Sequence, residues 1–397
     1  MSEVKAIING AVAAPDGVVE SGVVLLDGGA IRAVGVASGV DVPPGATVLD
    51  ASEALVVPGF IDGHTHGGNG FDYMSAGEAE IATILGWLPQ SGVTGVLATI
   101  ASASLEQQLD LLRRLRAVQR QRPSGAAILG VHLEGPYIHP EKRGAQPASA
   151  VRAPNLAEVE TILEEAGDLV RLVTLAPELD GALELIRFLA DRGVVVSAGH
   201  TKATYEQMQA AVEAGVSRVA HVFNAMSPLH HRHPGVPGFV LTEPRVYAEL
   251  ILDGYHVDPV VARLLLRAKG VERVTLITDA TQAAGLGDGA YVRPGGREIV
   301  VRDGAARLRA ERPEEQSEQP LAGSVLTMDR AVGNATRWLD LSLPQAASMA
   351  GAVAAESLGL ARQKGALAPG RDADIVLLEA KGRVRMTLVA GEVVYEA

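Results

Sequence analysis

The chain contains no cysteine. Disulfides, thiolate metal sites and thiol nucleophiles are therefore excluded, and any metal must be held by His, Asp and Glu. Aromatic residues are scarce, at 4 %. No apolar run reaches the ~18 residues that a membrane span needs. The start, Met1-Ser2-Glu3-Val4-Lys5, lacks the charged and then apolar leader of a secreted protein. Basic residues are outnumbered, 35 Lys and Arg against 47 Asp and Glu, for a net charge of −12. Nucleic acid calls for a basic patch, and an anionic small molecule would need a local cluster of cations. The expectation is a cytoplasmic protein that engages neither membrane nor nucleic acid.

What is abundant is Ala, Val, Leu and Gly, within a hydrophobic fraction of 47 %. That is the palette of parallel strands buried under helices. Both ends of the chain read as short strands separated by turns: Val4-Ile8, Gly22-Leu26, Ile31-Val36 and Thr47-Asp50, then Asp374-Leu378, Val384-Val389 and Glu392-Tyr395. The middle alternates apolar runs with amphipathic stretches. Eight runs stand out: Leu55-Ile61, Val93-Thr99, Ile128-Leu133, Val170-Leu175, Val194-Ala198, Arg218-Val222, Ala248-Leu252 and Val274-Thr278. Helical patterns lie between most of them, over Glu80-Gln90, Leu105-Gln121, Leu156-Ala166, Ala182-Arg192, Tyr205-Ala214 and Pro259-Lys269, and Met328-Leu339 and Pro344-Leu358 read as closing helices. The spacing predicts a (β/α)8 TIM-like barrel over residues 57–366, with residues 1–56 and 367–397 together forming a small β-sandwich. A doubly wound sheet is the alternative. The polar run Arg309-Gln319 reads as an exposed loop or sheet insertion without chemistry of its own.

In such barrels the site lies at the carboxyl ends of the strands. The first run leads to Pro58-Gly59-Phe60-Ile61-Asp62-Gly63-His64-Thr65-His66. Alternation along a strand puts His64 and His66 on one side, as a metal pair requires. Later strands deliver His132-Leu133-Glu134, Gly199-His200, His221 with Asn224, Asp253 through His256, and Thr278-Asp279. Taken singly, each histidine reads best as a satisfied core imidazole. Six strand ends carrying ligands or acid–base groups form a far more specific pattern. Glu134, His200 and His221 make a two-His, one-carboxylate set suited to a catalytic divalent metal such as zinc or iron. A metal acidifies coordinated water, and Asp279 is placed to take the remaining proton and return it to a leaving amine. Asp279 as a simple cap is compatible with that role.

These residues together resemble the amidohydrolase superfamily, and within it the N-acetylglucosamine-6-phosphate deacetylase branch. The resemblance rests on the 58–62 turn, on His132-Leu133-Glu134-Gly135-Pro136-Tyr137-Ile138, and on Pro140-Glu141-Lys142-Arg143-Gly144-Ala145. It continues in Gly199-His200-Thr201, His221 to Pro228, Asp253-Gly254-Tyr255-His256-Val257, Thr278-Asp279-Ala280 and Leu321 to Met328. It implies removal of the N-acetyl group of an amino-sugar phosphate, with one or two divalent metals (zinc first; Fe, Co, Mn or Ni otherwise). Glu134, His200 and His221 would hold the principal ion. Asp279 would be base and then acid. Ala145, Gln146, Asn224, the Ala225 backbone, Arg232 and His256 would bind substrate, with Leu321, Ala322 and Gly323 in the wall. Arg232 would reach a neighbouring subunit's site, which implies a homodimer.

Two departures bear on chemistry. Relatives carry His where this chain has Gln146, a position thought to polarise the substrate carbonyl; Gln donates hydrogen bonds without charge, and His139 is a candidate substitute. Many binuclear relatives bridge their metals with a Lys on strand four, which here ends Leu175-Ala176-Pro177-Glu178. A bridge would then be Glu134, with His64 and His66 serving a second metal beside Asp279. The alternatives are a related substrate, N-acetylgalactosamine 6-phosphate or an N-acyl amino acid, and a non-catalytic scaffold that keeps the barrel.

Overall fold

Eight parallel strands pair in chain order: Phe60–Thr65, Val93–Ala101, Ala127–Glu134, Val170–Leu175, Val195–Ala198, Val216–Val219, Tyr247–Ile251 and Val274–Ile277. The computed structural model describes residues 3–292, 298–309 and 320–397. These strands are almost wholly buried, which is why they read as continuous apolar runs rather than as alternating ones. The last strand returns to the first. Asp279 N–H donates to the His64 carbonyl and His66 N–H to the Ala280 carbonyl, each at 2.8 Å. The Asp62 carboxylate strengthens this seam, accepting the Thr278 hydroxyl at 2.5 Å and the Thr278 N–H at 3.3 Å. The sheet is thereby a closed barrel.

Helices cover it. Leu105–Gln121, Leu156–Ala166, Tyr205–Ala214 and Pro259–Lys269 begin where the sequence places them. The reason is local: Ser104, Asn155, Thr204 and Asp258 each accept a backbone N–H of the first turn. A separate eight-stranded sheet joins the two chain ends. Leu55–Pro58 lies antiparallel to Ile375–Leu378 within it, and Ile7, Val24, Leu26, Val56, Ile375 and Leu388 fill its own core.

Three sequence expectations change. The run Leu55-Ile61 is not one strand. It divides at Gly59, so that Leu55–Pro58 joins the terminal sheet and Phe60–Thr65 opens the barrel. A Cβ at Gly59 would sit 2.1 Å from the Thr94 hydroxyl, so the crossing needs glycine. The helix expected over Pro344-Leu358 breaks at Gly351 into Leu343–Ala350 and Ala352–Ser357. A helix over Gly235–Thr242, rich in Gly and Pro, has no sequence signal at all. Beyond the last barrel strand, Gly289–Val292, Glu298–Arg302 and Ala305–Leu308 form a small antiparallel sheet. Of the polar run, residues 310–319 lie outside the described residues. No helix among the described residues is long and apolar enough to cross a membrane.

Lys269, in the last turn of Pro259–Lys269, caps the preceding helix by donating to the Glu243 carbonyl. Its burial lowers the ammonium to about 8. The folded state therefore binds this proton less tightly than the unfolded chain does. Below pH 8 the buried charge costs stability, and that cost is relieved as pH rises towards the ordinary lysine value. Linkage sets it at roughly 3 kcal/mol. Urea unfolding of the protein and of Lys269→Met should show the wild type gaining on the variant between pH 8 and 10.

Candidate metal and active site

The carboxyl ends of the barrel strands open into a cavity of about 440 Å³. Three of its side chains leave strand ends on left-handed backbone: φ is 49° at His200, 26° at His221 and 49° at Asp279. Non-glycine residues adopt this region at a cost and cluster in it at functional sites. Here it turns each side chain inward immediately after its strand.

At the centre lies Glu134, buried at 3 % exposure. Its Oε1 is 2.9 Å from His200 Nε2, 3.2 Å from His221 Nε2 and 3.3 Å from His64 Nε2. Its Oε2 lies 3.5 Å from His66 Nε2, and His66 Nε2 lies 3.2 Å from Asp279 Oδ1. Two ligand groups result, Glu134 with His200 and His221, and His64 with His66 and Asp279. Glu134 stands between them.

The chemistry of these donors fits a cation. His200 Nδ1 donates to the Lys142 carbonyl at 2.7 Å and His64 Nδ1 to Glu249 at 3.0 Å, which leaves both Nε2 lone pairs pointing inward. The Nε2 atoms of His200 and His221 are only 3.1 Å apart. Lone pairs and carboxylate oxygens at that separation repel unless positive charge lies among them. The local field shows the same demand. Burial opposes a charge on His64, yet Glu134 and Glu249 raise its imidazole well above the ordinary value. Burial would likewise raise the Asp279 carboxyl, but the His66 hydrogen bond and the charges of His64 and His66 hold it at about 2, ionised at neutral pH.

A second layer fixes these groups. Arg218 is fully buried and pairs with Glu249 at 2.8 Å, its other amino group donating to the Ser357 hydroxyl. Arg218, Glu249 and His64 thus form one buried chain of charge. His132 lies edge-on to His64, with ring centroids 4.5 Å apart, between the hydroxyls of Thr99 and Thr174. Burial and the neighbouring His64 push its imidazole well below the ordinary value, so it is a neutral support. His256 is tied through Nδ1 to Asp253 at 2.7 Å; burial opposes its charge, but Asp253 prevails and raises it.

Of the residues singled out from sequence, His66, Glu134, Ala145, Gln146, His200, His221, Asn224, Ala225, His256, Asp279, Leu321 and Gly323 line this one cavity, with His64 beneath it. Ala322 is instead buried in the small apolar cluster under the antiparallel sheet. Arg232 sits on an exposed loop and does not line the cavity of its own chain. His139 does not replace the missing histidine, because its Nδ1 accepts the Glu141 N–H at the start of a short turn. Gln146 donates to Glu134 Oε2 and accepts from Ser102 N–H, both at 2.8 Å, so it steadies the central carboxylate. Sequence reasoning gave no role to Lys142, which lines the cavity, or to Asp62, Arg218 and Glu249. The signal was there in part: Arg218 and Glu249 are charges inside otherwise apolar strands.

The sequence profile of the amidohydrolase family matches residues 55–394. The chain belongs to the amidohydrolase family. Among its relatives, N-acetylglucosamine-6-phosphate deacetylase of Bacillus subtilis (strain 168) is 35 % identical, over 100 % of this chain and 98 % of that protein. N-acetylgalactosamine-6-phosphate deacetylase of Escherichia coli O157:H7 is 36 % identical, over 88 % of this chain and 90 % of that one. A solved structure of Mycobacterium smegmatis N-acetyl-D-glucosamine-6-phosphate deacetylase, a mutant in complex with N-acetyl-D-glucosamine-6-phosphate, superposes with a TM-score of 0.89 at 34 % identity, covering 99 % of both chains. The barrel with its terminal β-layer is therefore the amidohydrolase architecture, and a divalent metal is its cofactor class.

Removing one partner of a buried ion pair strands the other. Arg218→Met should therefore lower stability by about 3–5 kcal/mol, and adding Glu249→Leu should recover part of that loss. Urea denaturation of both variants checks this.

Proposed function

We propose that the protein hydrolyses the N-acetyl group of N-acetylglucosamine 6-phosphate, releasing glucosamine 6-phosphate and acetate. The observation that carries this reading is the placing of Asp279, its Oδ1 3.2 Å from His66 Nε2 at the edge of two converging ligand groups, in one cavity at the carboxyl ends of the barrel strands. Full-length similarity to deacetylases of this substrate supports it.

Glu134, His200 and His221 would hold the principal divalent ion, with zinc the first candidate for this N/O donor set, and His64, His66 and Asp279 a second. A bound ion supplies an electrophile for the amide carbonyl and lowers the pKa of water. Asp279 accepts the proton of the attacking water. As the C–N bond breaks, Asp279 passes that proton to the amine, and acetate is the other product. The Arg218–Glu249 pair keeps His64 in one tautomer, and Gln146 keeps Glu134 from swinging. Asn224, the Ala225 backbone and His256 face the sugar phosphate, with Leu321 and Gly323 as wall. Lys142 adds a cation to the same cavity. Arg232, exposed on its own chain, completes the site of a second copy, so the reading includes a homodimer. A cytoplasmic location belongs to the same reading, since the cysteine-free chain makes no use of an oxidising compartment.

The 4-epimer, N-acetylgalactosamine 6-phosphate, is the second reading, because the Escherichia coli relative is as similar as the others. A panel of both sugar phosphates and their unphosphorylated forms, with acetate and free amine measured, should show highest kcat/KM on the glucosamine phosphate. Asp279→Asn should lower kcat by about 10²–10⁴-fold. Arg232→Ala should raise KM for phosphorylated substrates only. Dialysis against a chelator should abolish turnover, and zinc should restore it. Metal-loaded protein that frees no acetate from any of these substrates would sink the reading.

A further inference from the structure

A second chamber, of about 280 Å³, opens beside the site cavity. The two share His66, Ala101, Ala145 and Gln146 in their walls. Beyond these the chamber is lined by five apolar residues, Met74, Ala103, Pro147, Ala150 and Leu308, and by four polar ones, Asp72, Ser102, Gln107 and Ser149. Leu308 comes from the antiparallel sheet that follows the barrel, and Met74 from the segment that follows the first barrel strand. The chamber is therefore built by segments added around the barrel mouth.

Its position relative to the reacting amide follows from the substrate pose proposed above. The amide must lie over Glu134, His66 and Asp279. Its nitrogen carries the sugar, which faces Asn224, Ala225 and His256. The other substituent of the carbonyl carbon then points to the opposite side, towards the wall that the two cavities share. Gln146 forms that wall. Its amide is held by Glu134 and Ser102 N–H, at 2.8 Å each, and it brings no charge to the boundary between the cavities. An acetyl methyl does not fill a chamber of this size. A longer saturated chain has room to extend into it, and each methylene buried among apolar walls is worth about fourfold in binding.

We propose that this chamber is an acyl pocket, and that the enzyme accepts N-acyl amino-sugar phosphates whose unbranched acyl chain has three or four carbons. The inference rests on the deacetylase reading and names its substrate range. The hydrolysis is the same: water adds oxygen to the acyl carbon, the C–N bond breaks, and a propionate or butyrate leaves in place of acetate.

The test uses the metal-loaded full chain with N-acetyl-, N-propionyl- and N-butyrylglucosamine 6-phosphate, following release of free amine. The expected kcat/KM for the butyryl substrate is at most tenfold below that for the acetyl substrate. A larger fall, with the acetyl substrate still cleaved, overturns the acyl pocket and leaves the deacetylase reading standing. Absence of turnover on all three overturns the reading and the pocket with it. Ala150→Phe narrows the chamber away from the ligand groups. It should lower kcat/KM for the butyryl substrate at least tenfold and leave the acetyl substrate within twofold. An equal effect on both substrates, or none on the butyryl one, contradicts the assignment.

Discussion

The structure turns on one carboxylate. Glu134 receives three histidine nitrogens on one oxygen and faces a fourth histidine and Gln146 with the other. No single element could assemble this. The histidines and Glu134 come from the ends of four different barrel strands and Asp279 from a fifth, so closure of the barrel is what brings them within reach of one another. Asp62 at the seam between first and last strands is therefore as much a part of the site as the ligands. It ties Thr278 beside Asp279 to the strand that carries His64.

Concentrating so many acidic and imidazole groups in a buried place is electrostatically costly. Arg218 offsets part of that cost from below by neutralising Glu249, and Glu249 in turn orients His64. The result is a layered arrangement: a cation under a carboxylate under an imidazole, all at the barrel axis, with the reactive groups above. The layers explain why a barrel interior that is otherwise aliphatic tolerates an arginine with about 1 % exposure.

Much of this was legible in the sequence. The eight barrel strands showed as apolar runs because both of their faces are buried, and the ligand histidines showed because they follow those runs immediately. Four helices with Ser, Asn, Thr or Asp caps begin where their amphipathic patterns begin. What was not legible depended on contacts between distant segments. The crossing at Gly59 needs glycine because Thr94 packs against it. The pairing of Arg218 with Glu249 depends on register between adjacent strands. The fate of Gln146 depends on Ser102, 44 residues earlier. The antiparallel sheet near Leu308 and the helix at Gly235 lack strong local patterns, and with the former went the second chamber.

The central claim is that Glu134, His200 and His221 form a metal site with Glu134 facing a second group. Anomalous diffraction from crystals of the zinc-loaded protein tests it directly. The account predicts a peak about 2.0–2.3 Å from His200 Nε2, His221 Nε2 and a Glu134 oxygen. A fully loaded protein whose anomalous density lies elsewhere, with these three side chains hydrogen-bonded only to one another, would contradict it.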